Sequence, residues 1–125
     1  MDRITAFLTG TKPISREDRA AAEKAIKQLS IACNALVLKA EGLRTKYPDT
    51  VRSIKRNAEK VRFLKPDISI QSGKLEQDIA QKITTVSSCC DAVLSGGDIK
   101  QLQDQIAALE QVIRQRQMPK KEATV

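Results

Sequence analysis

Histidine and tryptophan are absent from the 125 residues, and the aromatic side chains are limited to Phe7, Tyr47 and Phe63. Without histidine there is no Ser/His or Cys/His nucleophilic system, no carboxylate–histidine metal site, and no use of the commonest general base. Cysteine is nearly as scarce. Cys33, Cys89 and Cys90 fall one short of a four-sulfur zinc site, and an odd number with an adjacent pair makes no disulfide framework. Gly96 and Gly97 form the one glycine pair; they follow a helical pattern, lack the lysine of a phosphate-cradling loop, and belong to no dinucleotide fingerprint. No stretch approaches the ~20 apolar residues that span a bilayer, and the start of the chain has neither the basic lead nor the apolar run of a signal peptide. These absences predict a cytoplasmic protein with no metal, no cofactor and no small-molecule substrate.

The material that remains is aliphatic and charged. Apolar residues make up 41% and charged residues 30% of the chain, too apolar for wholesale disorder and enough for a thin core of Ile, Leu, Val and Ala. The length fits one domain. The net charge of +7 is concentrated: residues 44–65 hold eight basic side chains against Asp49 and Glu59, so this short region carries nearly all of it.

Hydrophobic spacing is helical throughout. Residues 2–9, with Ile4, Phe7 and Leu8 on one side and Gly10 after them, predict a short helix, and residues 1–14 together a helix-and-linker segment. Ser15 and Asp18 resemble a capping box. From there Ala22, Ile26, Leu29, Cys33, Leu36, Ala40, Leu43 and Tyr47 alternate spacings of four and three, a heptad seam on one helix from about Arg16 to Lys46. Pro48 breaks the pattern, and Asp49 is the expected cap of a second helix to about Leu64, with Val51, Ile54, Ala58 and Val61 on its apolar face. Ile68 and Ile70 are expected as buried anchors in a linker after Pro66. A third helix, starting after Ser72 and Gly73, has Leu75, Ile79, Ile83, Val86, Cys90 and Val93 on one face and ends at the glycine pair. Asp98 caps a fourth, built on Ile99, Leu102, Ile106, Leu109 and Ile113 with a Gln-rich exterior. The prediction is an all-α, antiparallel four-helix bundle spanning 15–117, with one long heptad-patterned helix, the short N-terminal helix, and a tail at 118–125. Since the first long helix exceeds the others, part of its seam should protrude and be covered by residues 2–9 or by another chain.

Two surfaces are candidates for function. On a helical wheel of the second helix, Arg52, Arg56, Glu59 and Phe63 stack along a strip away from the apolar side, flanked by Lys55, Lys60 and Arg62. Such a face either keeps the helix solvated or binds an acidic partner; Phe63 either projects among the cations or turns inward ahead of Pro66. The second candidate is the helix-packing seam Ile26, Leu29, Cys33, Leu36 and Leu43, which serves the bundle's own core or a second chain. Cys33 and Cys90 lie on apolar faces and read as core, while Cys89 flanks its face without a basic neighbour to activate it. Small helical enzymes that dispense with histidine place charged residues inside the bundle. The seam positions here read as apolar throughout, and the expectation is a protein that is not an enzyme. The function that follows is protein–protein interaction by helix packing, as an adaptor, accessory subunit, small chaperone or inhibitor, with the basic helix steering association. A homodimer remains open. The alternative is a nucleic-acid-binding protein using segment 44–65, though no helix-turn-helix supports base readout; a membrane surface is a weaker fit.

Overall fold

A computed structural model describes residues 16–118. The expected N-terminal helix, the Ser15 cap and the tail beyond Met118 lie outside these residues. The described chain forms four α-helices and no strand: α1 (Arg16–Ala40), α2 (Pro48–Arg62), α3 (Ile70–Leu94) and α4 (Ile99–Gln117), with a 3-10 turn at Glu41–Leu43. They make the expected four-helix bundle. Each helix is antiparallel to the next in sequence, and the two hairpins, α1–α2 and α3–α4, pack side by side so that α1 contacts α3 and α2 contacts α4.

The core follows the spacing of the apolar residues. Ile26, Leu29, Cys33, Leu36 and Ala40 of α1 and Leu43 of the 3-10 turn meet Val51, Ile54 and Val61 of α2, Ile79, Ile83, Val86, Cys90 and Val93 of α3, and Leu102, Ile106, Leu109 and Ile113 of α4 in one continuous cluster. Ala58 and Ile99 are partly buried against it. The expected seam of α1 therefore faces its own bundle.

Several boundaries differ from expectation. The first long helix stops at Ala40, not near Lys46, and tightens into the 3-10 turn. Pro48 bars the helix from continuing through Tyr47, because a residue preceding proline is driven out of the helical region, and Tyr47 sits at φ −133°, ψ 64°. The turn is sealed by Tyr47 N–H donating to the Leu43 carbonyl at 2.7 Å. Gly42 leaves room for Leu94, whose Cδ2 would lie 2.9 Å from a Cβ placed there. Shortened to 25 residues, α1 equals α3 in length, so the protruding seam that the sequence suggested does not arise. Pro48, not Asp49, starts α2: proline occupies the first turn, where its missing N–H has no intrahelical partner to lose.

The third helix starts earlier than expected. Ser69 is its cap, accepting from Ser72 N–H at 3.1 Å, while Asp67 accepts from Ser69 N–H at 3.0 Å and from Ser72 Oγ–H at 2.8 Å. These bonds satisfy the otherwise orphaned amides of the first turn and pull Ile70 into the helix. Ile68 and Ile70 are exposed, not buried anchors, Ile70 to 79%; at the first position of a helix, Ile70 points away from the bundle. The other caps follow the sequence. Asp98 accepts from Lys100 N–H at 3.0 Å to begin α4, and Gly96, at φ +99°, takes the left-handed conformation that closes α3.

Candidate functional site: a basic groove along helix α2

The amphipathic character of α2 decides what its outer face presents. Val51, Ile54 and Val61 are buried, so the residues one-half turn away must project to solvent. Arg52, Lys55, Arg56, Glu59, Lys60 and Phe63, with Gln117 of α4, line an open groove of about 540 Å³. The structure thus brings together five of the six expected basic-face residues around one depression, and sets the sixth, Arg62, beside it. Phe63 does not turn inward. It stands at the C-cap of α2, 69% exposed, with the Arg62 guanidinium carbon 5.4 Å from its ring centroid, a separation at which a cation is attracted to the aromatic face.

The cations of this face are not equivalent. Arg52 pairs with Asp49 at 3.1 Å, Lys55 with Glu41 at 3.0 Å, Lys60 with Glu110 at 3.5 Å and Arg62 with Glu59 at 3.6 Å. Lys60 and Glu110 are both largely covered, so this pair ties α2 to α4. The Arg52–Asp49 pair is open to water and adds little to stability. Arg56 is exposed and forms no ion pair among the described residues. At the other end of the face, Lys55 donates to the Glu41 carboxylate and, with Arg44 nearby, holds it below the usual carboxylate range against an opposing effect of burial. The groove therefore offers Arg52 and Arg56 as its most available charges, Glu59 between them and Phe63, and aliphatic stems as its floor.

The seam candidates Ile26, Leu29, Cys33, Leu36 and Leu43 are all buried and are not presented to an outside partner by the described bundle. Cys33 and Cys90 are buried free thiols, each pushed up to about 11 by burial, while Cys89 is half-buried.

One feature corrects the reading of the seams as apolar throughout. Glu76 and Arg116 are buried at the end of the bundle where α3 begins and α4 ends. Glu76 falls three residues before Ile79, in register with the core face, and Arg116 three residues after Ile113; that periodicity was the available signal. Arg116 donates from Nε and Nη2 to Glu76 Oε2 at 3.0 and 2.8 Å, and from Nη2 to the Lys65 carbonyl at 2.7 Å. These bonds join the pair to the connection that follows α2. Thr50, Asn57 and Ser72 are the other buried polar residues among those described, and Asn57 donates to the Ser53 carbonyl at 3.0 Å. Among the described residues no group of three or more Cys, Asp or Glu side chains is placed to hold a metal ion, and no helix is long and apolar enough to cross a membrane.

Comparison with protein-family models, with curated proteins and with solved structures gave no match.

Proposed function

We propose that this chain is a non-enzymatic helical interaction module that binds a protein partner, with the basic face of α2 as the docking surface. The observation that carries this reading is Phe63: a large aromatic side chain, 69% exposed, at the end of a groove walled by cations. Aromatic and arginine side chains are the residue types that anchor protein interfaces. The positive surround steers an acidic partner toward the groove and raises its association rate. The role is that of an adaptor, accessory subunit, small chaperone or inhibitor, whose output is occupancy of a partner's surface. Three free thiols support a reducing, cytoplasmic setting.

The acids of the same face weigh against nucleic acid. Glu59 and Glu110 already pair with Arg62 and Lys60, and Glu59 lies within the groove, where a run of phosphates would meet it. A protein surface, with side chains of either sign, can avoid that clash.

The test is affinity capture by the full chain from native lysate, with and without nuclease, beside an Arg52→Glu/Arg56→Glu variant. Both residues are exposed, so the variant should keep its helical circular dichroism. Proteins retained after nuclease and lost with the double reversal are the expected result. Capture that nuclease abolishes, together with tight oligonucleotide binding, would replace this reading by nucleic-acid binding.

A further inference from the structure

The order of chemical types along the α2 groove specifies more than net charge. Arg52, Arg56, Glu59 and Phe63 occupy one strip, at spacings of four, three and four residues. At 1.5 Å per residue the strip is ~16 Å long, three turns of helix. It reads as cation, cation, anion, aromatic ring. A ligand that is anionic along its whole length would satisfy the first two positions and be repelled at the third. One that is uniformly apolar would leave two guanidinium groups without a counter-charge.

From this pattern we propose that the groove receives a three-turn amphipathic helix of a protein partner, bearing carboxylates over Arg52 and Arg56, a basic or neutral side chain over Glu59, and an apolar side chain laid on Phe63. The proposal rests on the protein-interaction reading above and names the partner's chemistry. A helix supplies the match because its side chains recur along one face at the same three-and-four spacing. Arg56 provides the uncommitted charge, and Arg52 can exchange its exposed pairing with Asp49 for an incoming carboxylate at little cost, since such surface pairs are weak. Phe63 provides the anchor; Arg62 already covers part of its ring, and an apolar side chain would displace water from the remainder.

A second copy of this chain is a poorer occupant. Each copy carries +7, and self-association through this groove would bring the most basic region of one molecule against that of another unless a different, acidic surface docked in it.

The probes are stapled 15-residue peptides with Glu at positions i and i+4, Lys at i+7 and Leu at i+11, made also in reversed order, fluorescently labelled and titrated with the full chain. One of the two orders should bind about ten-fold more tightly than the version with Lys in place of both Glu, and than a thymidine oligonucleotide of similar length. Arg56→Glu and Phe63→Ser should each weaken it by about ten-fold or more, while Lys24→Glu on the far side of α1 should leave it unchanged. Binding indifferent to the peptide's charge or to Phe63→Ser, no binding of either order, or equal competition by the oligonucleotide would overturn the proposal. A photo-crosslinking residue at position 117, which lines the groove outside the strip, used in intact cells, keeps the two readings apart. Discrete protein adducts at this position without peptide binding would overturn the helix assignment alone. Absence of adducts together with absence of peptide binding would overturn both.

Discussion

Arg116 grips one oxygen of Glu76 from two nitrogens, at 3.0 and 2.8 Å, and the same guanidinium donates to the carbonyl of Lys65. This joins α4, α3 and the connection between α2 and α3 at one end of the bundle. Breaking a buried pair from one side leaves an uncompensated charge, and Glu76→Leu should cost about 3 to 5 kcal/mol in urea melts. Adding Arg116→Leu removes the stranded charge and should recover more than half of that loss, with the Lys65 carbonyl accounting for part of the remainder. Equal loss in the single and double variants would show that the pair does not act as a unit.

The thiols should react in two classes. Burial raises Cys33 and Cys90 to about 11 from an ordinary 9.0, and both are covered, whereas Cys89 is half-buried. At pH 8 a thiol reagent should label one site on the native chain, Cys89, and all three after denaturation. The sign of the stability effect follows. With folded values raised above unfolded ones, the contribution of Cys33 and Cys90 is fully present below about pH 9 and is lost as pH rises through about 11. Native labelling of three thiols at equal rates would contradict the burial of the pair.

Leu36 and Leu38 give a third comparison, because they lie on the same helix with opposite exposures, 3% and 75%. Leu36→Ala should cost about 2 to 5 kcal/mol through lost burial and the cavity left behind. Leu38→Ala should stay within about 0.5 kcal/mol of the parent. Both are read from chemical denaturation at fixed protein concentration, and a large loss from Leu38→Ala would mean that its face is covered by another chain in solution.

The fold was legible wherever apolar spacing or a capping residue marked it: the α1 seam, the caps at Asp98 and Gly96, and the core faces of α3 and α4 all follow from local pattern. The boundaries were missed where two local signals competed. Ser72 and Gly73 look like a helix start, but the Asp67, Ser69 and Ser72 hydrogen bonds begin it at Ile70, and only three-dimensional bonding selects between them. Glu76 and Arg116 were missed for a different reason. A charged residue in core register normally means that the register has ended, and the pair is stabilised by partners forty residues apart that no spacing rule connects. The strip of the α2 face was visible on a helical wheel, whereas the outward position of Phe63 and the pairing of Lys55 and Lys60 depended on where the helix end, Glu41 and Glu110 came to rest.

The pairing of those cations leads to a fourth prediction, on nucleic acid. A single strand laid along α2 would reach Arg52, Arg56 and one flanking cation, while Glu59 opposes a continuous track. Each phosphate neutralised on a single strand adds about −0.7 to the slope of log affinity against log salt, so three contacts give a slope of about −2. Binding of a thymidine oligonucleotide should accordingly stay in the weak non-specific range, ~10⁻⁴ to 10⁻⁶ M near physiological salt, and should fade further in Arg52→Glu/Arg56→Glu. The measurement is a salt titration by fluorescence anisotropy. Nanomolar affinity with a slope much steeper than −2 would require phosphate contacts well beyond α2 and would move the functional reading to nucleic acid, because one helix face with its own carboxylates cannot supply them.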